Sequence, residues 1–386
     1  MMTRKLLAVT AGFAMFSMFF GSGNLVFPLA IGAASLDKFE WGALGLFITG
    51  IFVPFLGLIS MIVAEGKRQK FFSEIGRLPA FLLTFMMLAL MGPLGVSARC
   101  IIVAHAGLQL VFESLSEAVF AGLFCVLTGA LCWQQRRIVS ILGSFLTPVL
   151  LTSIAVIVAL GVYKAPACAV TPLSSVKVFE NGFWVGYQTM DLLAAFFFSA
   201  TTIQYLKIQQ TLHPSNVSLM RLSLSASLVG IILLALVYGG FVYLGAAYGP
   251  LLTAVPAERM LIVIAEHVLG EFATPLMATT ICLACLTTLI ILTNLFAEFF
   301  HAEVTQNKMS RQASLVLTLG LSFAVSLAGF TKLASWLGTA LTYAYPALIA
   351  LALGKIAEKT FGLERLNLAP RAFYVMLLGA VVSAFI

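Results

Sequence analysis

Short clusters of polar residues interrupt an otherwise apolar chain, and their types suit binding rather than bond making. Gly21-Ser22-Gly23-Asn24, with Pro28 four residues on, stands in the middle of an apolar stretch running over residues 6–34. Gly186-Tyr187-Gln188-Thr189-Met190-Asp191 places amide, hydroxyl and carboxyl groups within about one and a half helical turns. Thr287 and Thr288 are adjacent hydroxyls in an uncharged stretch, and Arg99 and Glu298 are isolated charges in apolar surroundings. Covalent chemistry requires a nucleophile with a base in reach, and no such constellation is visible. A Gly-rich phosphate loop is also missing, which argues against an ATP-driven pump. Cys282 and Cys285 lie one turn apart with no second pair to complete a metal site. The sequence therefore predicts neither an enzyme nor a cofactor.

What these groups would do follows from their surroundings. Two glycines, an Asn and a Pro release backbone N–H and C=O groups in mid-stretch, and lipid cannot satisfy them. A bound solute with its ion can, and interrupted helices at the membrane midplane are how secondary transporters build such sites. The alternative is a kinked helix that packs through small residues. A carboxylate at the bilayer centre costs about 2.5 to 3.5 kcal/mol, so Asp191 must face the interior, either capping its own helix or touching solute or cation. Thr287 and Thr288 either bond back to the preceding turn or complete an oxygen shell for a small hard cation such as sodium. Arg99 and Glu298 are candidates for a gate pair, or for stems that reach the headgroups.

The elements that must hold these residues are membrane spans. With 61% hydrophobic residues, 10% charged residues and a mean hydropathy of +1.05, the 386-residue chain has more apolar surface than a soluble core needs. Apolar segments predict eleven spans at 6–34, 41–64, 78–111, 115–133, 138–163, 183–206, 219–248, 272–300, 312–330, 333–353 and 372–386, in a single transporter domain. The first is too long and too interrupted for a secretory signal and is expected to stay uncleaved. The third, at 78–111, exceeds the bilayer thickness and is expected to tilt.

The net charge of +7 is scattered between spans rather than gathered into a nucleic-acid patch, so no nucleic-acid partner is expected. Sixteen basic residues, among them Lys67, Arg68, Lys70, Arg77, Arg136, Arg137, Lys355 and Lys359, fall on one side, against five, Lys38, Lys164, Lys177, Arg259 and Lys332, on the other. The positive-inside rule then puts the N-terminus in the cytoplasm and the C-terminus outside. Five spans per repeat, an odd number, would make 6–163 and 183–353 inverted copies, with 372–386 as an extra span and the binding site between the first spans of the two halves.

The residues resemble a known family. Gly21-Ser22-Gly23-Asn24 through Phe27-Pro28, Met91-Gly92-Pro93 ahead of Arg99, Asn181-Gly182-Phe183 with Gly186-Tyr187 and Thr189-Met190-Asp191, Ala284-Cys285-Leu286 through Ala297-Glu298-Phe299-Phe300, and Tyr345-Pro346 look like the branched-chain amino acid:cation symporters of bacteria, often called BrnQ. The resemblance covers the first ten spans in order. It implies an all-α polytopic membrane protein of the LeuT-type five-plus-five fold, with helices 1 and 6 broken. Such a protein sits in the bacterial inner membrane and imports leucine, isoleucine and valine with sodium or protons. It further implies one cation site from the carbonyls of Ser17, Phe20 and Ala284 and the hydroxyls of Thr287 and Thr288, and a second near Asn24 and Thr189. The substrate carboxylate would meet the N–H groups of Gly21 to Gly23, and Gln188, Thr189 and Asp191 would stand beside it. Leu193, Ala194 and Leu292 are candidate walls for the apolar side chain. Family members commonly have twelve spans, which leaves the oligomeric state of this chain open. The stretch from Asn24 to Pro28 lacks the Arg of neurotransmitter-type relatives, so their outer gate does not carry over. Another neutral or aromatic amino acid is the alternative substrate, and a membrane-embedded enzyme or sensor is the alternative class.

Overall fold

The computed structural model describes residues 4–133, 147–212, 218–270 and 273–383, and among them the regular structure is helical throughout. The start of the fifth predicted span with Arg136 and Arg137, the first residue of the eighth and the last residues of the eleventh lie outside the described residues.

Helix α1 (Arg4–Phe19) stops two residues short of α2 (Ser22–Ser35). Helix α3 (Phe39–Phe47) passes through a π turn (Ile48–Phe52) into α4 (Val53–Val63), whose Pro54 has no N–H to donate back into that turn. The short α5 (Arg68–Ser73) precedes α6 (Arg77–Met91) and α7 (Val96–Leu108). The third predicted span is therefore two helices rather than one. Pro93 and a tight turn at Gly95 divide it, and a Cβ built on Gly95 would lie 2.0 Å from the Leu90 carbonyl oxygen.

Helix α8 is Glu117–Trp133, α9 is Thr147–Tyr163 and α10 is Ser175–Gly186. After a 3₁₀ turn at Tyr187–Thr189 comes α11 (Asp191–Leu212), and α12 follows at Leu219–Ala247. Then come α13 (Met260–Leu269), α14 (Ala273–Phe299), α15 (Arg311–Ser326), α16 (Phe330–Phe361) and α17 (Leu368–Ser383). Ser174, Ser218 and Ser310 each accept a hydrogen bond from the backbone N–H three residues on, so α10, α12 and α15 begin with an ordinary N-cap.

The stretches Ser22–Val63, Arg77–Leu108, Leu219–Ala247, Ala273–Val304 and Phe330–Phe361 are long and apolar enough to cross a membrane. Outward faces carry the same signature: Val119, Leu123 and Val126 on α8, and Leu228, Ile232 and Leu236 on α12, are exposed at helical spacing. Water would penalise such stripes, whereas lipid accepts them. Inside, small residues let backbones touch. A Cβ on Gly182 of α10 would lie 2.2 Å from the Gly42 carbonyl oxygen of α3, and one on Gly45 would lie 2.3 Å from the Phe179 carbonyl oxygen. This is the close crossing that small side chains permit in membranes. His105 packs its ring on Phe120 and engages the Leu115 carbonyl oxygen at 2.9 Å, holding the turn beyond α7.

Candidate functional site

The break between α1 and α2 comes from the local sequence. Phe20 N–H still donates to the Phe16 carbonyl at 2.8 Å, but Gly21 N–H donates to the Asn24 Oδ1 at 3.2 Å instead of to a helical carbonyl. Gly21 itself is extended, at φ −124° and ψ −159°. One turn later Pro28 has no N–H, which leaves the Asn24 carbonyl without its usual i+4 donor. The second break lies between α10 and α11. Met190 adopts a left-handed φ of 63°, which costs a residue with a Cβ about 1 to 2 kcal/mol, and its N–H turns back to the Tyr187 carbonyl at 3.1 Å.

The two breaks meet. A Cβ built on Gly23 would lie 3.4 Å from the Thr189 Cα and 3.5 Å from the Gln188 carbonyl oxygen. Asn24 Nδ2 donates to both carboxylate oxygens of Asp191 at 3.1 Å, and it also contacts the Tyr238 hydroxyl. Tyr238 O–H donates to Asp191 Oδ2 at 2.5 Å. Gly21 demands an acceptor from Asn24 and Asp191 demands a donor, which together fix which way the amide points. Asn24, Asp191 and Tyr238 are all buried. Thr189 bonds locally, its hydroxyl donating to the Gly186 carbonyl at 2.9 Å.

Beside this cluster, α14 touches the end of α1. The Thr288 hydroxyl donates to the Phe20 carbonyl at 3.3 Å, and a Cβ on Gly21 would lie 2.9 Å from the Thr288 Oγ1. The Thr287 hydroxyl donates back to the Ala284 carbonyl at 2.9 Å. Ser17 Oγ is buried without a hydrogen-bond partner. Ser22 accepts from the Cys100 thiol at 3.5 Å, which ties α2 to α7. Leu193, Ala194 and Leu292 are buried in the core on α11 and α14.

Arg99 and Glu298 lie in different surroundings. Arg99, fully buried on α7, donates from Nη1 to the Gln188 carbonyl at 3.0 Å and lies 5.3 Å from the Phe27 ring centroid. Glu298 lines a cavity of about 730 Å³ at the opposite end of α14 from its Pro275, together with Glu65, Arg68, Lys70, Lys207 and Glu303. There Gln69 Nε2 donates to Glu303 at 3.2 Å, Lys207 Nζ donates to the Glu65 carbonyl at 2.9 Å, and the Arg68 guanidinium lies 5.0 Å from the Phe197 ring centroid. Lys67, 2.9 Å from Glu65, holds that carboxyl below its ordinary range. Desolvation lowers Arg68, and Glu303 and Glu298 act in the opposite direction.

Tyr238 and Tyr345 are the members that the sequence reading missed. Tyr345 is fully buried against Tyr187, ring centroids 4.5 Å apart. A tyrosine hydroxyl in mid-span calls for a polar partner, which Tyr238 finds in Asp191 while the Tyr345 hydroxyl stays idle, and that requirement was the available signal.

Residues 4–385 match the family described as branched-chain amino acid transport protein. The chain is similar to the branched-chain amino acid transport system 3 carrier protein of Pseudomonas aeruginosa, 29% identical over 354 residues, covering 90% of this chain and 79% of that protein. It is similar to the branched-chain amino acid permease BrnQ of Bacillus subtilis, 29% identical over 358 residues, covering 89% and 79%. Among solved structures, the inward-facing conformation of Mhp1 superposes with a TM-score of 0.63 at 11% identity, covering 99% of this chain and 89% of that one. MhsT in complex with L-phenylalanine gives 0.64 at 14% identity, covering 96% and 98%. Such low identity speaks for fold alone, and that fold is the LeuT type.

Proposed function

Because this chain belongs to the branched-chain amino acid transport protein family, we propose that it is a secondary importer of leucine, isoleucine and valine, driven by sodium or protons and working by alternating access. The observation that carries this reading is the meeting of two interrupted helices at Asn24 and Asp191, with Thr288 of α14 against the Phe20 carbonyl beside them. Non-helical backbone at membrane depth, buried among protein groups, is where such carriers place solute and ion. The relatives are named as carriers and permeases for branched-chain amino acids, which supports the substrate class.

The coupling-ion shell in this proposal is Ser17, Phe20, Ala284, Thr287 and Thr288. Its oxygens, the carbonyls of Ser17, Phe20 and Ala284 and the hydroxyls of Thr287 and Thr288, are all uncharged, as suits sodium, and the unpartnered Ser17 hydroxyl is a further oxygen on the same residue. Asn24 and Thr189 belong to the cluster around Asp191, which is the place for a second cation or for a proton. One positive charge moving inward through 100 mV supplies about 2.3 kcal/mol, more than the roughly 1.4 kcal/mol of a tenfold solute gradient. Coupling alone therefore drives uptake. Three extra apolar carbons at about 0.8 kcal/mol each favour leucine over alanine by roughly fiftyfold.

In this proposal the protein lies in the bacterial cytoplasmic membrane with its N-terminus inside, as two inverted repeats and one extra span. The cavity at Arg68 and Glu298 is then the cytoplasmic vestibule. Radiolabelled leucine uptake into proteoliposomes, with sodium and proton gradients imposed separately and a panel of amino acids as competitors, tests the reading. Uptake should follow one of the two gradients and be blocked by isoleucine and valine. Uptake of none of the three overturns it.

A further inference from the structure

Arg99 is a buried cation whose partners do not add up. Only Nη1 is engaged, by the Gln188 carbonyl at 3.0 Å, while Nε and Nη2 have no hydrogen-bond partner and Arg99 forms no ion pair among the described residues. Burying a guanidinium with most of its donors idle is costly unless something supplies the missing acceptors. The idle atoms share one edge: Nε–H and the Nη2–H beside it run parallel, spaced to meet the two oxygens of a carboxylate. The location is also specific. Gln188 carbonyl oxygen, which Arg99 holds, is the atom a Cβ on Gly23 would approach to 3.5 Å, so the guanidinium reaches the meeting point of the two helix breaks. Phe27 at 5.3 Å steadies its face. Other polar atoms in the core are idle as well: Gln188 Oε1, Tyr345 OH and Ser97 Oγ. Gln188 is on the same residue that Arg99 grips, and its acceptor suits an ammonium group.

We infer that Arg99 binds the carboxylate of the transported amino acid through its Nε and Nη2 edge. The inference rests on the proposed transport function and assigns a charged anchor on α7, beyond the backbone N–H groups of Gly21 to Gly23. A carboxylate there completes the guanidinium and sits across the Gln188 carbonyl from the first break. The same contact makes the site reject ligands without a carboxylate, because they leave the buried cation as it was.

The test is equilibrium binding to the purified full-length protein, using whichever amino acid of a panel the parent binds best, in competition with its amide analogue, such as leucinamide against leucine. The parent should prefer the acid by roughly 100-fold, in line with truncation of a buried charge pair. In Arg99→Gln that preference should collapse to about threefold, acid binding falling far more than amide binding, and Arg99→Lys should recover part of it. A parent that binds the amide within about threefold of the acid overturns the inference, and that measurement needs no variant to fold. Arg99→Gln retaining the parent's preference overturns it too. If the best ligand is not a branched-chain amino acid, the substrate reading falls while the Arg99 test stands. A parent that binds no amino acid ends both.

Discussion

Asn24 and Asp191 join the two helix breaks directly, the Asn24 amide nitrogen lying 3.1 Å from each carboxylate oxygen across 167 positions of sequence. Hydrogen bonds to a buried charged group contribute about 1.5 to 3 kcal/mol, so their loss is worth roughly 10-fold to 150-fold. Asn24→Ala removes both this bridge and the acceptor for Gly21 N–H. Initial rates of leucine uptake in proteoliposomes should fall at least tenfold in Asn24→Ala and in Asp191→Ala. Parent-like rates in both variants would mean that the bridge is not part of the transport machinery.

Tyr238 offers a gentler probe of the same cluster. Its hydroxyl donates to Asp191 Oδ2 at 2.5 Å from α12, a helix that enters neither break. Tyr238→Phe keeps the ring in its fully buried place and deletes one donor. The variant should fold and elute as the parent does, and its leucine uptake should drop by about tenfold, the effect of one hydrogen bond to a charge. Unchanged uptake would show Asp191 to be held well enough by Asn24 alone.

Packing between α3 and α10 sets up a stability contrast. A Cβ on Gly182 would lie 2.2 Å from a backbone oxygen of Gly42, which cannot swing aside as a side chain could, whereas a Cβ on Gly320 of α15 meets nothing within 4 Å. Overpacking costs about 1 to 3 kcal/mol or more, while Gly to Ala in an open helix position gains up to about 1 kcal/mol. Thermal melting in detergent should therefore show Gly182→Ala below the parent and Gly320→Ala at or above it. Equal melting of the two would contradict the close crossing.

How far the sequence could be read depends on whether the signal was local. Gly21, Gly23 and Pro28 disrupt a helix through their own covalent structure, so the interruption they make is visible in one dimension. Apolar runs likewise announce spans because lipid demands length. The division of residues 78–111 at Gly92–Gly95 carries a local signal in Pro93, within flanks apolar enough to resemble one continuous span. Which polar group meets which was not legible. Tyr238 and Asp191 are brought together only by packing of α12 against α11. Arg99 and Glu298, both charges in apolar runs, look alike in sequence, yet one sits on the Gln188 carbonyl and the other on a cavity wall.

Thr288 is the residue that tests the proposed place of the coupling ion. Its hydroxyl lies 3.3 Å from the Phe20 carbonyl, Thr287 and Ala284 lie just before it on α14, and Ser17 on α1 has an idle hydroxyl. An oxygen shell for sodium assembled from these groups loses one ligand in Thr288→Ala and keeps it in Thr288→Ser. An oxygen facing a charge is worth about 1.5 to 3 kcal/mol, so the sodium concentration for half-maximal leucine uptake should rise at least about tenfold in the alanine variant. In the serine variant it should stay near the parent value, because the methyl group contributes packing and no ligand. Leucine uptake by the parent that ignores sodium, or an alanine variant with the parent's sodium dependence, would move the coupling ion away from α14 and leave the Asp191 cluster as the place to look for a proton.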